Sequence, residues 1–181
     1  MALRALRLAL PSLVVAVLAL SASAQVYCEC GPRSSPCGNM HPGPLQAGCV
    51  NSLGLRAFLG PIGTTSLGAD DLVLSSFNMP SDAQTFLLFG GGSNRRPFGD
   101  GVLCVSSGSK GIYRFALETT GVAGTATAGP GLSAQIQATF PVSGWLQPGE
   151  TIFFQRWYRD PEGPCGSGVN LTNGLGLTFT P

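Results

Sequence analysis

From residue 53 onward, apolar and polar side chains alternate with a period of two, and no other feature of the chain constrains its fold more. Successive side chains of a β-strand point to opposite faces, so this alternation predicts strands that each bury one face. Eight such runs are bounded by turn-forming Gly, Pro, Asp or Asn. They cover residues 53–59, 71–77, 85–89, 102–105, 112–118, 134–140, 151–159 and 175–180.

The eight runs predict an all-β fold, because no segment after residue 24 has a convincing helical period. We expect an antiparallel β-sandwich of about eight strands, either jelly-roll or immunoglobulin-like, with a closed barrel as the main alternative. Residues 151–159 are apolar on both faces, which is typical of a central strand covered on both sides. In the run 53–59, the side chains of Leu53, Leu55, Ala57 and Leu59 are expected on one face.

The first 24 residues have the pattern of a secretory signal peptide. Arg4 and Arg7 form a basic head, residues 8–20 an apolar run, and residues 22–24 a small-residue cleavage site. The apolar run is too short to span a bilayer. We therefore predict cleavage after Ala24 and an exported chain, either periplasmic or extracellular.

The part after the leader divides into two regions. Residues 25–50 are rich in Cys, Gly and Pro and have almost no apolar periodicity, so we expect a loop segment held by disulfides. Residues 51–181 contain all eight predicted strands and are expected to form one β-sandwich domain. A glycine-rich stretch, residues 121–131, predicts a long hairpin loop.

An even number of cysteines in an exported chain predicts disulfide bonds, here three. Six cysteines allow 15 connectivities, but Cys28 and Cys30 are too close in sequence to pair with each other without strain. We favour bridges within residues 25–50 and a separate bridge between Cys104 and Cys165. A zinc site is the rival hypothesis, yet the spacing lacks the usual C-x₂-C pairs. The six are Cys28, Cys30, Cys37, Cys49, Cys104 and Cys165.

Charge is sparse and nearly balanced, which argues against nucleic acid or an anionic membrane as a partner. Charged residues are 10% of the chain, against roughly 25% in ordinary globular proteins. Without Arg4 and Arg7 the chain has 8 basic and 9 acidic residues, a net charge of −1. A polysaccharide or a cell-surface protein is the partner that we expect, and no segment beyond the leader could span a membrane.

No cofactor or nucleophile motif is recognisable. His41 is the only histidine, and no G-x-S-x-G elbow accompanies it. Residues 90–92 are glycines but lack the order of a phosphate-binding loop, so a hairpin turn is predicted there. The sequon at residues 170–172 matters only where the source cell glycosylates exported proteins.

Four aspartates in predicted turns are candidate calcium ligands, because loop carboxylates can bind calcium together with backbone carbonyls. These are Asp70, Asp71, Asp100 and Asp160. The same carboxylates underlie a hydrolase alternative, which needs two acids facing each other across a cleft. The alternative to both is that they accept hydrogen bonds from turn amides.

Aromatic residues are the other candidates for a binding site, because they can stack on sugar rings or contact a partner protein. Trp157, Tyr158 and Tyr113 lie in predicted strands, where aromatic residues usually belong to the core. Trp145 lies in a predicted loop and is the favoured ligand-binding candidate.

Several segments together resemble a family of exported bacterial β-sandwich domains of unassigned function. The segments are GCVNSLG at 48–54, ADDL at 69–72, PFGDGVLC at 97–104, FQRWYRDP at 154–161 and NLTN at 170–173. The resemblance implies a sandwich and export. It implies no activity or ligand, so it assigns no functional residue. Such domains often end longer secreted chains, whereas here the domain directly follows a leader.

These observations favour an exported, non-enzymatic β-sandwich that acts as a binding or structural module. Export, the cysteine count and the lack of catalytic motifs support this hypothesis. A carbohydrate-binding module is the first alternative, and a small secreted hydrolase using loop carboxylates is the second.

Overall fold

The structure is a computed structural model that describes residues 24–40, 43, 46–141, 144 and 146–181. Within this part of the chain there are twelve strands, one α-helix and one 3₁₀ turn at Val122–Gly124. The strands are β1 Ala24–Cys28, β2 Phe58–Ile62, β3 Val73–Phe77, β4 Gln84–Gly90, β5 Gly92–Phe98, β6 Gly101–Ser106, β7 Ile112–Arg114, β8 Glu118–Thr119, β9 Ala126–Ala128, β10 Thr151–Asp160, β11 Gly168–Leu171 and β12 Gly174–Thr178. The helix, α1, is Leu132–Thr139.

The strands form a sandwich of two antiparallel sheets with a hairpin outside it. The larger sheet has seven strands in the order β1-β12-β10-β4-β7, with β11 paired to β10 and β8 paired to β4. The smaller sheet has the order β2-β3-β9, and β5 and β6 form the separate hairpin. Every pair of named strands is antiparallel. The prediction of an all-β, sandwich-like fold is confirmed.

The main core lies between the two sheets and is closed at one side by α1. Each sheet contributes alternate side chains, which is why the period of two was visible in the sequence. The buried members are Leu59, Leu72, Leu74, Leu87, Phe89, Leu132, Ile136, Leu146, Ile152, Phe154, Leu175, Leu177 and Phe179. Burying such side chains supplies most of the favourable free energy of folding, at about 25 cal/mol per Å² of apolar area.

Strand β10 is central in the larger sheet, as its two apolar faces predicted. It pairs with β4 on one side and with β12 and β11 on the other. Ile152 and Phe154 point into the main core, whereas Phe153 and Trp157 belong to a second cluster on the outer face. The outer face of this sheet is where the hairpin packs.

Residues 134–140 were predicted as a strand, and this prediction is wrong because helix α1 covers most of them. The alternating Ala134, Ile136 and Ala138 satisfy a period of two, but Ala is also the best helix former. Leu132 and Ile136, four residues apart, are the apolar side chains that α1 buries. Such spacing places both on one face of a helix.

The first predicted run is also partly wrong. Leu53 and Leu55 are 55% and 45% exposed, because both lie in a turn whose amides donate to the Oδ1 of Asn51. Ala57 and Leu59 are buried as expected, and strand β2 begins only at Phe58.

Four strands had no counterpart in the predicted runs: β1, β5, β9 and β11. Strand β5 has the sequence GSNRRPF and β9 has the sequence ATA, so neither shows apolar alternation. Backbone hydrogen bonds to a neighbouring strand are enough to define such segments. The glycines at 90–92 do connect two strands, but β4 and β5 pair with other partners, so this turn is not a hairpin.

All six cysteines form disulfides, and the favoured pairing is right for one bond within residues 25–50 and wrong for the other two. The bonds are Cys28–Cys104, Cys30–Cys49 and Cys37–Cys165. The expected bridge between Cys104 and Cys165 does not form, because sheet order brings Cys104 to the N-terminal strand. Cys28 lies opposite Gly174 in the ladder between β1 and β12. A Cβ added to Gly174 would lie 2.5 Å from the Cβ of Cys104.

The predicted signal peptide falls almost wholly outside the described residues, which begin at Ala24. Among the described residues, no helix is long and apolar enough to cross a membrane.

Candidate functional site

The outer face of the larger sheet carries an open groove whose floor is aromatic. Trp157 of β10 lies between Phe86 of β4 and Leu171 of β11 in the strand register. Cross-strand partners point to the same face, so these three side chains form one row. The rings of Phe86 and Trp157 stack with centroids 4.7 Å apart and an interplanar angle of 15°. Each ring covers one face of the other in this stack. Both side chains are half-buried, so the remaining parts of the two rings are open to solvent along the floor.

A second row of the floor ends in a cation. Leu88 of β4 lies opposite Arg114 of β7, one step along the strand from Phe86. The Arg114 guanidinium carbon is 5.9 Å from the centroid of the Phe86 ring, close enough for a cation–π interaction. Arg114 is exposed, so its remaining donors face solvent beside the aromatic floor.

The hairpin of β5 and β6 forms the wall of the groove, and Gln155 joins it to the floor. Gln155 is fully buried. Its Oε1 accepts from the amide of Cys104 at 2.8 Å, and its Nε2 donates to the carbonyl of Val102 at 2.8 Å. The backbone of strand β6 is therefore hydrogen-bonded to a side chain of the larger sheet. Leu103 and Phe98 of the hairpin line the groove.

The N-terminal strand secures the base of the hairpin from the other side. The Cys28–Cys104 disulfide joins β1 to β6. The Tyr27 hydroxyl donates to the carbonyl of Cys104 at 2.5 Å, and its ring contacts Phe153 edge to face. Burial raises the pKa of Tyr27 above its ordinary range, so the hydroxyl keeps its proton at any physiological pH. These contacts make the groove wall a rigid part of the fold.

Two adjoining depressions make up the groove. One has a volume of about 350 Å³, the other has about 440 Å³, and both are lined by Phe86 and Arg114. We call their combined lining the aromatic groove. Its residues are Phe86, Leu88, Phe98, Leu103, Arg114, Phe115, Ala116, Leu117, Trp157 and Leu171.

None of the described residues that line the aromatic groove is acidic. Two further arginines are placed beside it by the strand registers. Arg96 is the cross-strand partner of Leu103, so it projects from the same face of the hairpin. Arg159 follows Trp157 by two residues in β10 and therefore projects from the same face of the sheet. Both side chains are exposed.

The four aspartates proposed as calcium ligands do not form one site. Asp70 accepts from the amides of Ser133 and Ala134 at the start of α1, at 2.8 and 3.0 Å. The Asp71 carboxylate accepts from the hydroxyl and the amide of Thr64. These two carboxylates therefore bind different segments: Asp70 binds the first turn of α1 and Asp71 binds Thr64.

Asp100 and Asp160 do lie close together, but both are fully buried. A Cβ added to Gly163 would be 2.3 Å from Oδ2 of Asp100 and 2.9 Å from Oδ2 of Asp160. The Asp100 carboxylate accepts from the amides of Cys165 and Ser167. The Asp160 carboxylate accepts from the backbone amide of Ser52, in the turn before β2.

This pair thus fastens the loop after β10, the same loop that carries the Cys37–Cys165 disulfide. Among the described residues, no group of three or more His, Cys, Asp or Glu side chains could hold a metal ion. Calcium binding by Asp100 and Asp160 stays a prediction. Backbone amides already donate hydrogen bonds to both carboxylates.

Beneath the groove, Arg156 forms an ion pair with Glu118 of the same sheet and a hydrogen bond to Ser76 of the smaller sheet. Arg156 is fully buried; its Nε donates to the hydroxyl of Ser76 at 2.8 Å, and its Nη1 contacts the Glu118 carboxylate. Burial lowers the pKa of Arg156, while Glu118 opposes that shift. Because the guanidinium points into the sandwich, we assign it a structural role.

The favoured candidate Trp145 and the single histidine, His41, both lie outside the described residues. Tyr158 is buried beside Met79, and burial raises its pKa. Tyr113 packs against Phe89 and Phe140 next to the main core. Asn170 of the sequon is fully buried and donates to the Val50 carbonyl, which leaves no room for a glycan on the folded chain.

Sequence reasoning missed Phe86, Phe98 and Arg114 as site residues. Each belongs to a different strand, and nothing in the local pattern distinguishes a strand face covered by a hairpin from one covered by a sheet. The two apolar faces of β10 were the one available signal, because they indicated a second layer above Trp157. Comparisons with protein-family models, with curated proteins and with solved structures found no match, so the resemblance to exported bacterial sandwich domains stays a prediction.

Proposed function

We propose that this protein is a non-catalytic module that works outside the cytoplasm and binds a polysaccharide in the aromatic groove. The observation that carries the proposal is the stacked pair of Phe86 and Trp157 on the floor of an open groove. Open apolar concavities with a few polar groups at the edge are the usual form of a binding site.

A sugar ring suits this floor for a chemical reason. One face of a pyranose presents mainly C–H groups, and it packs against a flat aromatic surface, while the hydroxyls around the ring remain free for hydrogen bonds. The exposed part of Trp157 offers the apolar surface, and the Arg114 guanidinium, which lies over the Phe86 ring, offers donors for hydroxyls or carboxylates. Because the groove is open along its length, a long chain can lie in it without being enclosed.

The hydrolase alternative has less support. A glycosidase needs two carboxylates that face each other across the substrate. The described lining of the groove contains none. The close pair Asp100 and Asp160 is buried and accepts backbone hydrogen bonds. These facts support binding without catalysis.

A site of action outside the cytoplasm is supported by the cysteines and the leader. Disulfides persist in oxidising compartments and are rare in the cytosol, and all six cysteines form them here. The basic head with Arg4 and Arg7 followed by an apolar run is the pattern of an export signal.

The test is retention of the exported protein in gels that contain individual polysaccharides, followed by titration of each retained polymer. Trp145→Phe leaves Trp157 as the single tryptophan, so its fluorescence reports directly on the groove. We expect quenching of this emission on binding and a loss of affinity of about tenfold or more for Trp157→Ala, the size of a hot-spot contact.

Phe98→Ala and Phe77→Ala are matched variants, because the two side chains are 43% and 37% exposed and Phe98 lies in the hairpin whereas Phe77 lies in the smaller sheet. Only Phe98→Ala should weaken binding. Circular dichroism confirms that each variant is folded. Equal affinities for the Phe98 and Phe77 variants, or no retention on any polysaccharide, would overturn the proposal. Hydrolysis of a polymer that is abolished by changing one Asp or Glu would overturn its non-catalytic part.

A further inference from the structure

We infer that the polysaccharide bound in the aromatic groove is acidic and that it is held through carboxylates by arginines. This inference rests on the proposed function and specifies its ligand class. It is carried by the placement of three exposed arginines around a floor whose described lining has no acidic side chain.

Arg114 is the arginine nearest the floor, since it lines both depressions of the groove. Its contact with the Phe86 ring at 5.9 Å restrains the guanidinium next to the aromatic pair, against whose exposed part a sugar would pack. A planar guanidinium can donate two parallel hydrogen bonds to a carboxylate, which makes it a better partner for a uronic acid than for a neutral sugar.

Arg96 and Arg159 extend this positive charge along the groove. Arg96 projects from the hairpin beside Leu103, and Arg159 from β10 beyond Trp157. Two ion pairs of the described residues are Lys110–Glu150 and Arg156–Glu118, and neither involves any of the three arginines.

The positive character is local rather than a property of the whole molecule. The complete chain has a formal charge of only +1. Attraction of a polyanion must therefore come from how these arginines are arranged, and it should weaken as salt screens them. A regular polymer with one carboxylate on each repeat could bind several of these arginines in succession.

The experiment compares uronic acid polymers with their own neutral derivatives. Polygalacturonate, alginate and hyaluronan are each tested beside the same polymer after chemical reduction of its carboxyl groups to alcohols. We expect at least one acidic polymer to bind, its reduced form to bind at least tenfold more weakly, and the affinity for the acidic form to fall steadily with added salt.

Arg114→Gln and Arg96→Gln should each weaken binding of the acidic polymer by about tenfold, the size of one charge-assisted hydrogen bond. Arg33→Gln is the matched control, because it removes one exposed positive charge from the N-terminal segment, and it should bind like the parent. All variants are checked for an unchanged thermal transition.

The outcomes separate the two proposals. If acidic and reduced polymers bind equally and the arginine variants match the parent, the acidic specificity is wrong while polysaccharide binding stands. Preference for a sulfated polymer over every uronate would also overturn the carboxylate assignment. If neither form of any polymer binds, the proposed function fails as well.

Discussion

The Asp71 carboxylate shows how a local hydrogen bond sets an ionisation. The Thr64 hydroxyl donates to it at 2.6 Å and the Thr64 amide at 3.0 Å. These bonds favour the charged form, so they lower the pKa of Asp71 below its ordinary value. A lowered pKa in the folded state means that the associated stability is present at neutral pH. It is lost as the pH falls through the folded value.

We therefore predict that Thr64→Val raises the pKa of Asp71 toward its ordinary value, because the valine keeps the amide donor but removes the hydroxyl. Thr64→Ser retains the hydroxyl and should leave the pKa low. Titration of the Asp71 carboxyl by NMR measures both. An unchanged pKa in the valine variant would show that the hydroxyl bond is not the main cause.

Gly163 is required by the close approach of two buried carboxylates. An alanine Cβ there would be 2.3 Å from Oδ2 of Asp100, nearer than a Cβ can come to any atom without a shift. We predict that Gly163→Ala destabilises the fold by about 1–3 kcal/mol, the usual cost of overpacking.

Gly31→Ala serves as the control, because the nearest atom to its added Cβ, the Ser34 hydroxyl oxygen, is 3.9 Å away. Thermal denaturation followed by circular dichroism compares the two variants. Equal transition temperatures would mean that the carboxylates move aside at little cost.

At the scale of single elements, helix α1 depends on a cap supplied from a distant part of the chain. Its N-cap residue is Gly131, with a left-handed φ of 79° and no side chain to accept from the first amides. The Asp70 carboxylate accepts from the amides of Ser133 and Ala134 instead. A negative charge at this end also interacts favourably with the helix dipole.

We predict that Asp70→Ala destabilises the protein by about 1–2 kcal/mol, the upper part of the range for loss of an N-cap. Asp82→Ala is a matched control, since Asp82 is exposed and has a φ of 56°, comparable with the 43° of Asp70. Both variants place an alanine at a positive φ. A larger loss of unfolding free energy for Asp70→Ala than for Asp82→Ala in urea denaturation therefore measures the contribution of the cap. Equal losses would contradict it.

The elements also show where local patterns mislead. Strand β12 was predictable because Leu175 and Leu177, which are buried in the main core, alternate with glycine and threonine. Strand β5 was not, because its polar side chains face solvent and its backbone pairing leaves no trace in composition. Helix α1 has small alanines that fit either period, and only its packing selects the helix.

At the scale of the whole molecule, the disulfides join parts of the chain that are far apart in sequence. Cys37–Cys165 spans 128 residues and Cys28–Cys104 spans 76, whereas Cys30–Cys49 spans 19. Two of the three bridges thus tie the N-terminal segment to the sandwich and to the wall of the aromatic groove.

We predict that cleavage of the unreduced protein after Glu29, Arg33 and Met40, which separates the first four cysteines from one another, releases three cross-linked peptides with these pairings, identified by mass spectrometry. Reduction before digestion provides the control, since the same peptides should then appear separately. A peptide that joins Cys104 to Cys165 would contradict the sheet order that places Cys104 above Gly174.

By itself, the sequence determined the properties that depend on neighbours along the chain. Period-two alternation determined the β class, glycine and proline determined where strands end, and an even cysteine count indicated disulfides. Tertiary structure alone decided which cysteines pair, that residues 132–139 form a helix, and that Phe86, Trp157 and Arg114 meet in one groove. The physical reason is that pairing and register depend on contacts between distant segments, whereas a periodic pattern reports only which face of a segment is buried.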